Sequence, residues 1–120
     1  MIKLVALLKR KPGTSVEDFR QRWLYDHTKL SSKLPDCLEY RINLVDTYDG
    51  TDADEAPFDG TAELWWEDRA AMEASFASHE AKVAGEDADS FCGERVHLYC
   101  ESEFMVVRDG EPVQPPEAVK

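Results

Sequence analysis

The sequence predicts an α+β fold, a ferredoxin-like βαββαβ sandwich in which a four-stranded antiparallel sheet carries two helices on one face. Three observations carry that expectation. An apolar run at the start is followed by a stripe of apolar residues at helical spacing. Two later segments alternate apolar and polar side chains. A second helical stripe then precedes a last run of strand formers. At 120 residues, with no internal repeat, the chain has the length of one domain.

Residues 2–9, rich in Leu and Val, read as a strand that Lys11-Pro12-Gly13 ends. Ser15 offers an N-cap, with Asp18 three positions on at capping-box spacing. Val16, Phe19, Trp23, His27, Leu30 and Leu34 fall on one helical face, and Pro35 closes the helix. Residues 37–48 alternate, with Leu38, Tyr40, Ile42 and Leu44 opposite Glu39, Arg41 and Asn43, as in a half-buried strand. Residues 49–59 are acidic and turn-rich, a loop. Residues 61–67 form a strand with Ala62, Leu64 and Trp66 on one face and Thr61, Glu63 and Trp65 on the other. Asp68 caps a second helix whose apolar face carries Met72, Phe76, His79 and Val83; Gly85 is expected to break it, and a short acidic turn leads to Phe91. Residues 94–107 are the last strand. The expected domain is therefore 1–107, followed by a Pro-rich tail, 108–120, in which Pro112, Pro115 and Pro116 argue against regular packing. Right-handed crossovers place both helices on the same side of the sheet.

Charge narrows the classes of function. With 14 basic and 25 acidic residues the net charge is −11, which repels phosphate backbones and anionic lipid, so neither nucleic acid nor a membrane is an expected partner. No stretch approaches the roughly 20 apolar residues of a spanning helix, and the opening run lacks a small-residue cleavage site. Cys37, Cys92 and Cys100 are an odd number without Cys-x-x-Cys spacing and read as free thiols in a reducing cytoplasm. There is no Gly-rich phosphate loop, no GxSxG elbow and no dinucleotide fingerprint, which argues against NAD, FAD and nucleotide chemistry. The charge is also uneven: residues 1–41 carry +4 and residues 42–120 carry −15. The two halves attract each other either within the fold or across a dimer contact.

Helices on one side leave the other face of the sheet open. Trp65 and Trp66 point to opposite faces, as do Val5 and Leu4, so that open face is partly apolar. Two sheets packed face to face, making a homodimer, would cover it.

Several of these residues carry a resemblance in order along the chain: Leu7 to Gly13, Ser15, Phe19, Trp23-x-x-x-His27, Leu34-Pro35, Tyr40-x-x-Asn43 and Asp59-Gly60-Thr61-Ala62-Glu63. Over about residues 1–107 the sequence resembles the EthD family, named for a protein of ethyl tert-butyl ether degradation, within the dimeric α/β barrel superfamily. The resemblance implies a ferredoxin-like protomer, a dimer and a ligand cleft between sheet and helices. Relatives include lactone isomerases of aromatic catabolism, fungal polyketide decarboxylases or dehydratases, and accessory proteins, so no single reaction is implied.

His27 is the leading candidate for chemistry. In the centre of an apolar helical face it is either a core histidine satisfied by a buried partner or a pocket acid and base, and the resemblance favours the pocket. Tyr40 lies with the apolar set of its strand and either orients His27, donates to a developing enolate oxygen, or packs in the core. Phe19, Trp23, Trp66, Phe76, His79 and Phe91 are the expected ligand-binding walls, suited to planar phenolic or polyketide-like molecules. Glu63 and His97 are expected on the sheet face away from the leading apolar set, paired with each other. No metal site is expected: His79-Glu80 has no second histidine at ligand spacing, and the acidic loop lacks the spacing of a Ca²⁺ loop. Cys92 and Cys100 have no pattern of cations that would activate a thiolate. Three functions are open: a cofactor-free enzyme of the isomerase, decarboxylase or dehydratase type, a non-catalytic ligand-binding or accessory protein, and a cofactor-free or haem-binding oxygenase.

Overall fold

The computed structural model describes residues 1–114. Strand β1, Ile2–Arg10, follows the period of a pleated sheet: Ile2, Leu4, Ala6 and Leu8 are buried, and Lys3, Val5 and Leu7 take the other face. The other long strands are β2 (Glu39–Leu44), β5 (Gly60–Trp66) and β6 (Cys92–Cys100). They join β1 in one four-stranded sheet of order β2-β5-β1-β6, every pair antiparallel. The helices α1 (Val16–Gln21), α2 (Thr28–Ser31), α3 (Arg69–Phe76) and α4 (His79–Phe91) complete a ferredoxin-like α+β fold. Short hairpins β3–β4 (Thr47–Tyr48 with Thr51–Asp52) and β7–β8 (Val107–Arg108 with Glu111–Pro112) stand apart from the main sheet. No helix of the described residues is long and apolar enough to cross a membrane.

The expected caps form. Ser15 accepts a hydrogen bond from the Asp18 N–H at 3.0 Å, and Asp68 from the Ala71 N–H at 2.8 Å. The second helical region departs from expectation. It breaks at Ala77 rather than Gly85, because the Ser78 hydroxyl accepts from the Ala81 N–H at 3.1 Å and starts α4 afresh. Gly85 then lies inside α4, where an added Cβ would meet nothing within 4 Å. Strand β2 stops at Leu44, and β3–β4 occupies ground read as continuing strand and loop. The last long strand ends at Cys100, and the chain beyond it is not wholly irregular. Asp109 and Gly110, both at positive φ, turn β7 into β8. The end of the tail, residues 115–120, lies outside the described residues.

Two features of the sheet bear on the rest. Asp59, just before β5, is buried and binds the end of β1: it accepts from the Arg10 N–H at 2.8 Å, pairs with the Arg10 guanidinium, and its own N–H donates to the Leu8 carbonyl at 2.8 Å. On the open face, Trp65 is covered by its own chain and only 5 % exposed. Its indole N–H donates to Glu103 at 3.1 Å, and Lys3 and Arg41 lie 4.6 and 5.1 Å from its ring. Leu98, 50 % exposed, is the apolar residue that this face leaves uncovered.

Candidate functional site

The site begins with a change of helical winding. Phe19, Trp23, His27 and Ser31 are all buried and spaced by four. In an α-helix each such step overshoots the turn of 3.6 residues by about 40°. Between α1 and α2, residues Arg22–His27 are wound as a π-helix, whose wider turn takes up that drift and keeps the four side chains in line. Trp23 is fully buried because Gly60 has no side chain. A Cβ there would lie 2.6 Å from the Trp23 ring and 2.5 Å from the Asn43 carbonyl oxygen.

A cavity of about 210 Å³ lies between this helix line, the sheet and α4. It exists because the facing residues are small. Ala6 and Ala62 pair across β1 and β5, and Ala81, Ala84, Gly85 and Ala88 occupy one face of α4. Trp23, His27, Ser31, Tyr40 and Phe76 also line it, with Arg95 and His97 of β6 at the far side.

Its polar groups are organised by a partner that lies behind the wall. Asp87 of α4 holds the Arg22 guanidinium through both carboxylate oxygens, one contact at 3.1 Å, and its Oδ2 lies 2.9 Å from His27 Nδ1. The Arg22 hydrogen bonds hold the Asp87 carboxyl below its ordinary range, so it is an acceptor and Nδ1 carries the proton. Burial lowers the His27 pKa below 6.5, against the pull of Asp87 and with repulsion from Arg22 and Arg95. The ring is therefore neutral at pH 7, with Nε2 as its unprotonated nitrogen. It is packed 5.1 Å from the Phe91 ring. Tyr40 of β2 reaches the same helix line: its hydroxyl lies 3.0 Å from Ser31 Oγ, and burial raises its pKa, which keeps the phenol protonated. Among the described residues no group of three or more His, Cys, Asp or Glu side chains could hold a metal.

Four residues expected at a ligand site, His27, Tyr40, Trp23 and Phe76, come together on the cavity. The other four do not line it. Phe19 and Phe91 pack behind it, with rings 5.6 Å apart. Trp66 is fully buried, packs at a tilt against Phe76 with ring centres 5.3 Å apart, and donates to the Pro35 carbonyl. His79 is exposed at the start of α4, since the new cap at Ser78 shifts it off the buried face. The expected Glu63–His97 pair does not form. Register places His97 opposite Ala6, on the helix side, whereas Glu63 lies opposite Val5 on the other face, bound to Lys3 at 2.8 Å and to Asn43 at 2.9 Å. Sequence reasoning does not single out Asp87, Arg95 or Ser31. Ser31 has a signal, the four-residue spacing from His27. Asp87 and Arg95 have none that separates them from other charges.

The EthD domain model matches residues 11–94. Among solved structures the chain is similar to an ethyl tert-butyl ether degradation family protein from Bacillus halodurans C-125, with 21% identity and a TM-score of 0.74, covering 86% of this chain and 99% of that one. It is also similar to a dimeric ferredoxin-like protein of unknown function from Thermobifida fusca YX, with 14% identity, a TM-score of 0.64, and coverage of 84% and 90%. A mutant of SnoaB, a cofactor-independent oxygenase from Streptomyces nogalater, matches with 9% identity, a TM-score of 0.63, and coverage of 89% and 97%. No curated protein matches. At these identities the solved structures speak for the fold. The family model covers most of the chain, from the turn after β1 into the first residues of β6, and the protein belongs to the EthD domain family.

Proposed function

We propose that the chain is a cofactor-free proton-transfer enzyme acting on a small ligand held in the cavity, with His27 as base and then acid. The observation that carries this reading is the Asp87–His27 contact of 2.9 Å on the wall of a cavity. A core histidine needs only a hydrogen-bond partner. A neutral imidazole with its Nδ1 proton fixed by a carboxylate presents a basic Nε2, as proton abstraction requires. In the proposed step Nε2 removes a proton from a carbon next to a carbonyl. The C–H electron pair moves into the carbonyl, and the oxygen becomes an enolate. The Tyr40 hydroxyl, which lines the same cavity and is kept protonated by burial, would donate to that oxygen. The imidazolium then returns the proton at another carbon, which is an isomerisation. Expulsion of hydroxide from the carbon next to the enolate would make a dehydratase; in a decarboxylase the C–C bond pair of a leaving CO2 would form the same enolate, and a protonated His27 would then protonate its carbon.

The test uses α-angelica lactone, whose acidic proton lies between the carbonyl and the double bond. Its conversion to the conjugated isomer is followed by ultraviolet absorbance. The wild type should accelerate the conversion. His27→Phe, which keeps the ring volume, should remain folded and lose about a hundredfold or more of that rate. A His27→Phe variant as active as the parent would return His27 to a packing role. A second reading, binding without turnover, draws on the predominance of Ala and Leu in the walls. Saturable binding of the lactone with no conversion by the wild type would select it.

We also propose a homodimer formed by the open sheet faces, in keeping with dimeric relatives of the same fold and with the exposure of Leu98. Residues 108–120 are proposed to be a tail outside the folding unit 1–107, since β7–β8 is exposed and pairs only with itself among the described strands.

A further inference from the structure

We infer that His97 is a second catalytic residue of the cavity, the acid that protonates an oxygen as it leaves the ligand. The substrate is then a β-hydroxy carbonyl compound and the reaction a loss of water. This rests on the reading proposed for His27 and adds to it the leaving group and the acid that serves it. The register of β6 brings the ring to the site. His97 stands opposite Ala6, and Ala6 opposite Ala62, so this row of the sheet runs from an imidazole to two methyl side chains. Nothing of size on that row fills the space beside the ring, and His97 lines the cavity together with His27. Helix α4 adds only Ala81, Ala84, Gly85 and Ala88 to the lining.

The two histidines differ as the two roles require. His27 is 7 % exposed, and Asp87 occupies its Nδ1, which leaves Nε2 to meet a ligand. His97 is exposed where it lines the cavity, and neither of its ring nitrogens has a hydrogen-bond partner among the described residues. It can take a proton from water on one side and give it to a ligand on the other. Its neighbours on the same face of β6 are Arg95 and Tyr99, whose ring centre is 6.4 Å away, and no carboxylate lines the cavity among the described residues. Arg95 repels a proton on both imidazoles, so both rings lie within reach of one guanidinium. Burial first and Arg95 second lower the His97 pKa below 6.5, which makes its charged form the minor one at pH 7 and a stronger acid than a free imidazolium. An isomerisation needs one proton carrier, because the proton removed is the proton returned. Loss of hydroxide needs a second, because hydroxide leaves poorly until it is protonated. In the inferred step His27 Nε2 takes the proton from the carbon between the carbonyl and the carbinol, and the C–H pair forms the enolate. The enolate pair then makes the new C=C bond. The C–O bond breaks with its electrons on oxygen, which takes the His97 proton and departs as water. After release His27 gives its proton to water and His97 regains one, so the cycle closes.

The experiment uses the full chain and the β-hydroxy ketone formed by aldol addition of acetone to benzaldehyde, a single ring with a short chain. Ultraviolet absorbance follows the conjugated ketone that it yields on losing water. The same assay is run on its acetate ester, whose acetate leaves without a proton. The wild type should accelerate loss of water. His97→Gln, which keeps a polar side chain at an exposed position, should lose about a hundredfold of that rate. Its loss on the acetate ester should be at least tenfold smaller. Equal losses on the two leaving groups, or no loss on either, overturn the role of His97. Proton exchange in heavy water, read by NMR at the carbon between carbonyl and carbinol, reports on His27 separately. Exchange by the wild type without loss of water overturns this inference, whatever the variant does, and leaves His27 as a base. A wild type that catalyses neither exchange nor loss of water overturns both this inference and the reading it rests on.

Discussion

At the scale of single residues, the burial of His27 has a measurable consequence for acid stability. Burial lowers the His27 pKa in the folded chain, so between that value and 6.5 the unfolded chain binds the proton that the folded chain refuses. Stability is therefore full above pH 6.5 and falls as the pH is lowered through that window. Asp87, lowered by Arg22, adds a second loss of the same sign at pH values below its ordinary 3.8. Urea unfolding at a series of pH values should show the first decline in the wild type and a flatter curve in His27→Phe. An unchanged slope in that variant would mean that His27 is not the group responsible. His27 itself was legible in the sequence, because the period of Phe19 and Trp23 carries to it. Its partner was not. Asp87 is 60 positions away, and only the packing of α4 against the first helix brings the two together. Asp59-Gly60 was legible as a motif, but its purpose was not: the carboxylate ties down the end of β1, and the glycine makes room for Trp23.

At the scale of elements, the cavity is a property of α4. The sequence spacing Ala81, Ala84, Gly85, Ala88 is a helical stripe of small residues. Reading Gly85 as a break hid it. The helix cost of glycine relative to alanine, about 1 kcal/mol, is smaller than what the Ser78 cap and the packing of Ala84, Ala88 and Phe91 contribute. Gly85→Ala should therefore stabilise the protein by about 0.5–1 kcal/mol, because its Cβ enters open space and the unfolded chain loses freedom. A lower melting temperature for this variant would contradict that account. The four long strands, though not their ends, and both expected caps were legible, because alternation and capping are written within a few residues. The π-helical stretch was not, since the fit of Trp23 and His27 between sheet and α4 dictates it.

At the scale of the whole molecule, the open sheet face is the surface through which the proposed dimer would form. The alternation of Trp65 with Trp66 correctly placed the two indoles on opposite faces, yet Trp65 is sealed by Glu103, Lys3 and Arg41 of its own chain. A dimer contact must instead use Leu98 with the half-buried Val5, Leu7 and Val96. Sedimentation at micromolar concentration should give a species of twice 13.6 kDa, and Leu98→Glu should shift it toward the monomer by placing a charge in the contact. A wild type that sediments only as the monomer under those conditions would remove the dimer.

The junction of α4 with β6 gives the molecule a built-in clock. Cys92 sits at that seam, 4 % exposed, with a thiol pushed up to about 11, whereas Cys37 and Cys100 are half-buried. Alkylation by iodoacetamide needs both access and a thiolate, so Cys92 can be labelled only during moments when the seam parts. Mass spectrometry of timed samples should find Cys100 modified well before Cys92. The lag between them measures how often α4 lifts from the sheet, and a molecule seated in the cavity should lengthen it. Equal labelling rates would show a seam that opens as readily as the surface.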